Sequence, residues 1–223
     1  MFSAAIFDMD GLLIDSERAL LHVWTQVADE MGARLHKADF VRMVGLGSID
    51  SNRILLEIFG SEERVRSMRE RAAHLLRPGG RPPLFPLRPG ARELLDLLRS
   101  AGVPCAVASS TRVSEVRRRL EGVGVLNHFH HVAGGDEVTR SKPHPDVFLL
   151  AAERLDVAPK YCLAFEDSGH GVAAAVAAGM QVVMVPDLVV PDSALQQQTF
   201  AIIESLHDAN GSALRWFGKN PSL

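Results

Sequence analysis

The stretch Ala4-Ala5-Ile6-Phe7-Asp8-Met9-Asp10-Gly11 decides the fold class of this chain. It begins with an apolar run without alternation, which is typical of a short strand buried on both faces of a parallel sheet. The run ends in a polar turn that holds two aspartates and a glycine. The sequence therefore predicts a first strand over residues 4–7, with candidate functional carboxylates at its carboxyl end.

Further apolar runs predict four more strands, over residues 103–108, 132–133, 161–165 and 181–185. Between the strands, apolar residues recur at helical spacing, as at Leu94, Leu95 and Leu98. Strands that alternate with helices indicate an open parallel sheet with helices on both faces, joined by right-handed crossovers. The predicted fold class is α/β.

The segment from residue 16 to residue 85 interrupts this alternation, because it contains no convincing strand. Apolar residues at helical spacing mark one helix near residues 20–31 and another near residues 54–58. A Pro- and Gly-rich stretch over residues 77–86 is typical of a loop that returns to the sheet. We therefore predict a sheet core formed by residues 1–15 and 86–223, and an inserted α-helical cap formed by residues 16–85.

Composition limits the class of protein. The 223 residues are 47% hydrophobic and 23% charged, as in a globular protein. Lys and Arg number 24 and Asp and Glu number 27, so the net charge of −3 does not favour a nucleic-acid partner. Neither a signal peptide nor a membrane span is expected, since no basic region precedes the first apolar run and Gly179 interrupts the most apolar stretch. Cys105 and Cys162 are expected to be buried free thiols, which favours the reducing cytoplasm.

Polar side chains follow the first four predicted strands, at the sheet edge where ligands bind in open parallel sheets. Taken singly, such residues commonly cap the next helix. Several carboxylates at one edge, however, repel one another unless a cation neutralises them, and oxygen ligands favour Mg²⁺ over zinc. In chain order these residues are Asp8 and Asp10, then Ser109 and Ser110, then Ser141 and Lys142, and finally Glu166, Asp167 and Ser168.

In order, spacing and strand context, these residues resemble the signature motifs of the haloacid dehalogenase-like hydrolases. The helical insertion after the first motif resembles the cap of the subgroup that contains beta-phosphoglucomutase and many sugar and nucleotide phosphatases, such as pseudouridine 5'-phosphatase. The resemblance implies a Rossmann-like catalytic core, a cap that moves and closes over the substrate, and Mg²⁺ as the cofactor.

The resemblance also implies a role for each matching residue. Asp8 is expected to be the nucleophile that forms an aspartyl-phosphate, and Asp10 is expected to be the general acid and base. The phosphoryl oxygens are expected to contact Ser109, Ser110 and Lys142. The ligands expected for Mg²⁺ are Asp8, the main-chain carbonyl of Asp10, Glu166 and Asp167.

The second aspartate of the first motif favours phosphate esters as substrates. Dehalogenases and phosphonate hydrolases of this family lack a residue like Asp10, since they do not have to protonate an alkoxide leaving group. Beta-phosphoglucomutases carry a Lys-Gly-x-x-Arg pattern in the cap, whereas residues 44–49 here contain neither cation and Leu20 replaces a histidine. We therefore expect a phosphatase. The alternatives are a sugar phosphomutase and, outside enzymes, a phospho-receiver or regulatory binding domain.

The expected substrate is a small phosphorylated metabolite, namely a sugar, polyol or nucleoside phosphate. A monomer or a weak homodimer is expected, with no nucleic-acid or membrane partner. The polar cap residues that are candidates for contacting the substrate are Arg42, Ser48, Asn52 and Arg53.

The histidines give weaker signals. His128, His130 and His131 do not match the spacing of a zinc site, so they are expected at the surface. His170 lies close to Asp167 in the sequence, and two roles stay open for it: contact with the leaving group or solvent, or packing at a helix N-terminus.

Overall fold

The structure, a computed structural model, describes residues 1–77 and 85–219. Among these residues, the strands are β1 (Ala4–Phe7), β2 (Cys105–Ala108), β3 (His131–Ala133), β4 (Cys162–Glu166), β5 (Gln181–Met184) and β6 (Ala201–Ile202). They form one sheet in the order β3-β2-β1-β4-β5-β6. Each neighbouring pair is parallel, which is the arrangement that the alternating pattern predicts.

The described residues also form α-helices on either side of β2 in the sequence. Before β2 come α1 (Glu17–Glu30), α2 (Lys37–Met43), α3 (Ser48–Phe59), α4 (Glu62–Leu75) and α5 (Ala91–Ser100). After β2 come α6 (Val113–Gly122), α7 (Asp146–Arg154), α8 (Gly169–Ala177), α9 (Ser193–Gln198) and α10 (Leu206–Trp216). Among the described residues, no helix combines the length and the apolar character needed to cross a bilayer.

Helices cover the sheet on both faces, which explains why β1 is an unbroken apolar run. Ala5 and Phe7 belong to a hydrophobic cluster that includes α5, α6 and α10, whereas Ala4 and Ile6 belong to one that includes α7 and α8. All four side chains are fully buried. Because β1 lies between β2 and β4 with Phe7 paired to both, the carboxyl ends of these strands lie side by side.

Helices α1 to α4 form an all-helical segment with a hydrophobic cluster of its own. In this segment α1 and α3 both pack against α4, and Trp24 meets Phe40 edge to face with ring centroids 5.5 Å apart. No strand occurs among the described residues from 16 to 77, in agreement with a helical insertion. The domain boundaries at residues 15 and 85 stay a prediction, and residues 78–84 of the predicted returning loop lie outside the described residues.

The α/β class and the parallel sheet are confirmed, and the five predicted strands end within two residues of the observed ones. The sixth strand was not predicted, because β6 has only two residues at the sheet edge and shows no buried apolar run. Both cysteines are buried free thiols, as predicted.

The prediction of surface histidines is wrong for His128. This residue is buried, with its Nδ1 3.1 Å from the Val125 carbonyl oxygen and its Nε2 2.7 Å from Asp96 Oδ1. Because the carboxylate of Asp96 lies within hydrogen-bond distance of the ring, it compensates for the cost of burying the polar nitrogens of His128. His130 and His131 are exposed, as predicted.

Candidate active site

Four buried polar side chains meet at the carboxyl edge of the sheet, namely Asp8, Lys142, Glu166 and Asp167. Asp8 follows β1 directly, and Glu166 is the last residue of β4, which pairs with β1. Lys142 comes from the loop between β3 and α7, and Asp167 follows Glu166. The structure therefore brings these four residues together as the sequence predicts.

The ammonium group of Lys142 lies between two of the carboxylates. Its Nζ is 2.5 Å from Asp8 Oδ1 and 2.6 Å from Glu166 Oε1, and it also donates to the Ala108 carbonyl oxygen at 3.0 Å. Burial lowers the pKa of Lys142, but the negative charges of Asp8 and Glu166 outweigh burial and hold this pKa above its usual value. The two carboxylates therefore favour the charged form of Lys142.

The three carboxylates form a group that fits a divalent cation. One oxygen each from Asp8, Glu166 and Asp167 lies within 4.8 Å of the others, and Asp167 Oδ2 is buried without a hydrogen-bond partner among the described residues. Burial, with added repulsion from Glu166, raises the pKa of Asp8 to about 8 despite Lys142, and it raises the pKa of Asp167 well above its usual value. An oxygen-only donor set with excess negative charge is what hard cations such as Mg²⁺ prefer.

Two glycines allow the main chain to approach these carboxylates closely. A Cβ atom on Gly11, which has φ +82°, would lie 2.2 Å from Asp167 Oδ2. A Cβ atom on Gly171 would lie 1.9 Å from the carboxyl carbon of Glu166. Glu166 Oε2 accepts hydrogen bonds from the N–H groups of Asp167 and Ser168, so this carboxylate is held in one orientation.

The carboxylate of Asp10 stands apart from this group. Its Oδ1 accepts hydrogen bonds from Ser16 Oγ at 2.7 Å and from Arg119 Nη1 at 2.6 Å, and its Oδ2 accepts one from Thr111 Oγ1 at 2.8 Å. The side chain is therefore fixed beside the candidate metal ligands and is not one of them. The expected contact between the main-chain carbonyl of Asp10 and a metal stays a prediction.

A cavity of about 260 Å³ lies between the sheet edge and the helical segment. Asp8, Asp10, Ser109 and Ser110 line it from the sheet side. The facing wall, from the helical segment, includes the apolar residues Leu20, Trp24, Phe40, Met43 and Val44. A cavity with charged and hydroxyl groups on the sheet side and largely apolar side chains on the helical side suits a ligand with an anionic group at one end and a less polar body.

Two hydrogen bonds join the helical segment to the sheet unit, one at this cavity and one at a neighbouring cavity. Ser110 Oγ donates to the Gly45 carbonyl oxygen at 2.9 Å, and Ser141 Oγ donates to Asp50 Oδ2 at 2.8 Å. The hydroxyl of Ser110 therefore binds the cap loop. The hydroxyl of buried Ser109 instead accepts a hydrogen bond from the main-chain N–H of Thr111. The roles of both serines in binding phosphate stay predictions.

The four polar cap residues named from the sequence occupy different places. Ser48 lines the cavity, and Asn52 lies behind it, with its Oδ1 bound by a neighbouring arginine. Arg42 and Arg53 do not line the cavity, and both are exposed and paired with acidic residues of the cap. Their contact with substrate stays a prediction that this arrangement does not favour.

His170 has one of the two roles that the sequence left open. Its Nε2 is 3.2 Å from the main-chain oxygen of Arg42, so at the start of α8 it packs against the helical segment. It does not line the cavity.

The cavity residues that sequence reasoning missed include Glu17, Trp24, Arg69 and Arg119. Burial, with repulsion from Asp10, raises the pKa of Glu17 to about 8. Glu17 follows the first motif closely, and this proximity was an available signal. Arg69 and Arg119 carry no such signal, because their positions depend on how their helices pack.

The family assignment follows from comparison with known proteins. The model of the haloacid dehalogenase-like hydrolase family matches residues 5–185, and the protein belongs to this family. It is therefore an enzyme of the hydrolase type that the sequence motifs predict, and its curated relatives include named phosphatases.

Individual relatives cover most of the chain. A phosphorylated carbohydrates phosphatase of Thermotoga maritima is 33% identical over 178 residues, which are 80% of this chain and 82% of that protein. A probable pseudouridine-5'-phosphatase of Drosophila melanogaster is 38% identical over 193 residues, with 82% and 80% covered. The crystal structure of beta-phosphoglucomutase from Clostridium difficile has the same fold, with a TM-score of 0.79 at 23% identity over 98% of both chains.

Proposed function

We propose that this protein is a Mg²⁺-dependent phosphatase that hydrolyses a small phosphomonoester through an aspartyl-phosphate on Asp8. The observation that carries the proposal is the buried group in which Lys142 bridges Asp8 and Glu166 beside Asp167. Three carboxylates and one ammonium leave two negative charges, which is the charge that a divalent cation balances. When bound, Mg²⁺ would balance this charge, so that an anionic phosphate can enter the site, and it would polarise the phosphoryl group.

The residues of the site support a two-step reaction. A carboxylate oxygen of Asp8 attacks phosphorus, and the bond from phosphorus to the alkoxide oxygen breaks. Asp10, which has to enter this step protonated, donates its proton to that oxygen and so releases the alcohol. Asp10 then takes a proton from a water molecule that attacks the phosphorus, so that inorganic phosphate leaves and Asp8 is restored. Lys142 holds its positive charge next to the nucleophile throughout.

The substrate class proposed is a sugar, polyol or nucleoside monophosphate, which fits a cavity with acidic and hydroxyl groups on one side and apolar side chains on the other. Residues 44–49 contribute no cation to the cavity, and this favours a phosphatase over a sugar phosphomutase. The mutase alternative is tested with a hexose 1-phosphate and a catalytic amount of the bisphosphate. Fast formation of the 6-phosphate isomer would contradict the phosphatase proposal.

The direct test is Mg²⁺-dependent phosphate release from sugar phosphates, polyol phosphates and nucleotides. Wild type is compared with Asp8→Asn and with Asp29→Asn, a control at an exposed position of α1. We expect Asp8→Asn to lose at least about 1,000-fold in kcat and the control to match wild type. Full activity of Asp8→Asn, or no release from any substrate by wild type, would refute the proposal.

The two buried cysteines bear on the compartment in which the enzyme works. Two buried free thiols suit a reducing compartment, so we propose the cytoplasm. We also propose that the enzyme acts as a monomer or a weak homodimer, which size-exclusion chromatography with light scattering would test.

A further inference from the structure

Glu17 is a buried acidic residue of the cavity for which the proposed mechanism has no role. It is the first residue of α1, and 8% of it is exposed. It lines the cavity together with Asp8 and Asp10. A Cβ atom on Gly11 would lie 3.2 Å from Glu17 Cγ, so this side chain packs beside the turn that carries both aspartates. Glu17 is therefore placed to contact a substrate whose phosphate reaches Asp8.

The carboxyl group of Glu17 receives no hydrogen bond and forms no ion pair within the described part of the chain. Arg119 attracts it from beyond ion-pair distance. The aspartates beside it differ, because Asp8 pairs with Lys142 and Asp10 pairs with Arg119. Burying a carboxyl group without a hydrogen bond is costly, and such groups in folded proteins normally have a partner. A ligand in the cavity can be that partner.

The position of Glu17 at the start of a helix does not account for its burial. The dipole of a helix favours an acidic residue in the first turn, and such a residue can remain at the surface. Glu62 and Glu63 in the first turn of α4 are both exposed. Glu17, by contrast, shares one face of α1 with Leu20 and Trp24, which also line the cavity. This face of α1 therefore presents a carboxyl group and two apolar side chains to a ligand.

A hydroxyl group is the partner that this arrangement favours. An aliphatic hydroxyl both donates and accepts hydrogen bonds, so it pairs with a carboxyl group that is either ionised or protonated, whereas an ammonium group only donates. The charged side chains of the cavity also give no excess of negative charge that would select an ammonium group. They are three acidic residues and three arginines, namely Asp8, Asp10, Glu17, Arg69, Arg112 and Arg119.

We propose that Glu17 is a specificity-determining residue that binds a hydroxyl group on the leaving group of the phosphomonoester. Asp8 and Asp10 act at the ester bond, Glu17 contacts the hydroxyl, and the side chains of Leu20 and Trp24 contact the carbon chain. The inference rests on the proposed phosphatase function and deepens it. It restricts the preferred substrates to phosphate esters whose alcohol carries a second hydroxyl, as sugars, polyols and nucleosides do, over simple alkyl phosphates.

The test uses three series of substrates that are matched in chain length. One series consists of alkyl phosphates, the second of hydroxyalkyl phosphates with the hydroxyl on each carbon in turn, and the third of the corresponding aminoalkyl phosphates. For at least one position of the hydroxyl, we expect wild type to prefer the hydroxyalkyl phosphate over its alkyl and aminoalkyl analogues by about 10- to 100-fold in kcat/KM. This factor corresponds to one hydrogen bond with a carboxyl group.

Substitutions at Glu17 then assign the preference to this residue. In Glu17→Leu the ratio of hydroxyalkyl to alkyl kcat/KM should fall to about one, because leucine is similar in size and its side chain forms no hydrogen bond. Glu17→Gln should keep part of the preference, since its amide still donates and accepts. A ratio of two substrates on one enzyme does not change with the fraction of enzyme that is folded. Asp29→Asn is the control, because Asp29 is exposed on the same helix outside the cavity, and it should keep the wild-type ratio.

The outcomes separate this inference from the proposed function. If wild type shows no preference for any hydroxyalkyl phosphate, or if Glu17→Leu lowers the hydroxyalkyl and alkyl series by the same factor, the inference is refuted while the phosphatase stands. A preference for the aminoalkyl series that Glu17→Leu abolishes would refute the hydroxyl as the recognised group.

If wild type releases phosphate from no substrate, including p-nitrophenyl phosphate, the proposed function fails. The inference is then decided by calorimetric titration of the same compounds, with Mg²⁺ present, into Asp8→Asn with and without Glu17→Leu. A loss of affinity of about tenfold or more, confined to hydroxyalkyl phosphates, would support it. Equal dissociation constants, or no binding of any hydroxyalkyl phosphate, would refute it.

Discussion

Replacing Lys142 by methionine probes the buried charge group on which the proposed chemistry depends. In wild type the ammonium meets Asp8 at 2.5 Å, Glu166 at 2.6 Å and a main-chain oxygen at 3.0 Å, and the Lys142 side chain is fully buried. Methionine keeps much of the apolar stem and removes the charge. Two buried carboxylates then lose their counter-ion, and removing one partner of a buried ion pair costs about 3–5 kcal/mol.

Urea denaturation of the metal-free protein in EDTA measures this cost as a change in the free energy of unfolding. We expect Lys142→Met to lose about 3–5 kcal/mol, and Lys37→Met, at an exposed position, to stay within about 0.5 kcal/mol of wild type. Adding Mg²⁺ should narrow the gap between Lys142→Met and wild type, because the variant presents three carboxylates with no ammonium and binds a cation more tightly.

Two results would refute this reasoning. A loss below about 1 kcal/mol in EDTA would mean that the carboxylates do not depend on Lys142 for neutralisation. A gap that Mg²⁺ leaves unchanged would mean that the carboxylates of Asp8, Glu166 and Asp167 do not bind the ion, and the proposed metal site would fail with it.

Three further predictions concern a glycine of the site, an ion-paired glutamate and the two cysteines. In Gly171→Ala the added Cβ would lie 1.9 Å from the carboxyl carbon of Glu166, so the substitution should displace this carboxylate and lower phosphatase activity at least about 100-fold. As a contrast, Gly211 lies within α10 with open space around it, so Gly211→Ala should raise the free energy of unfolding by about 0.5–1 kcal/mol. Burial would raise the pKa of Glu115, but hydrogen bonds from two arginines of α6 lower it to about 2. The ionised Glu115 therefore stabilises the folded protein above about pH 4.5, and this stabilisation is lost as the pH falls towards 2. Glu115→Gln should lower the free energy of unfolding by about 1 kcal/mol at pH 7. A loss that stays constant down to pH 3 would contradict this reasoning. Burial raises the pKa of the two cysteine thiols to about 12 and about 11, so neither should react with a thiol reagent at pH 8 until the protein unfolds, and rapid labelling of the native protein would be the opposing result.

The sheet core was predictable because its strands are short apolar runs that end in polar turns. A strand that is buried on both faces can be recognised from its own apolar run, without knowing which strands it pairs with. For this reason β1, β2, β4 and β5 were predicted near their observed ends. The edge strand β6 was missed because its two partly exposed residues form no buried apolar run.

The candidate metal group was equally accessible to sequence reasoning. Parallel strands of one sheet end at one edge, so Asp8 and Glu166 were expected at the same edge, and the pairing of β1 with β4 brings them close together. Lys142 was placed with them because it follows the third predicted strand, and the structure puts its ammonium between both carboxylates.

The cavity wall above these residues was decided by tertiary packing. Arg42 and Arg53 are polar and lie close in sequence to Ser48, yet they point to the surface and pair with acidic neighbours. Arg69 looks like any other arginine of α4, and only the packing of α3 against α4 turns it to Asn52 and into the cavity. The periodicity of a helix indicates which face is apolar, but not which neighbour its polar side chains will meet.

The sequence by itself determined the α/β sheet, the helical insertion and the acidic group at the strand ends, because apolar runs, helical spacing and strand-end residues are local in the chain. The tertiary structure alone decided that Arg119 binds Asp10, that His128 is buried, and that Arg69 lines the cavity. These contacts join segments far apart in sequence, and their partners are chosen by helix packing, which no local pattern records.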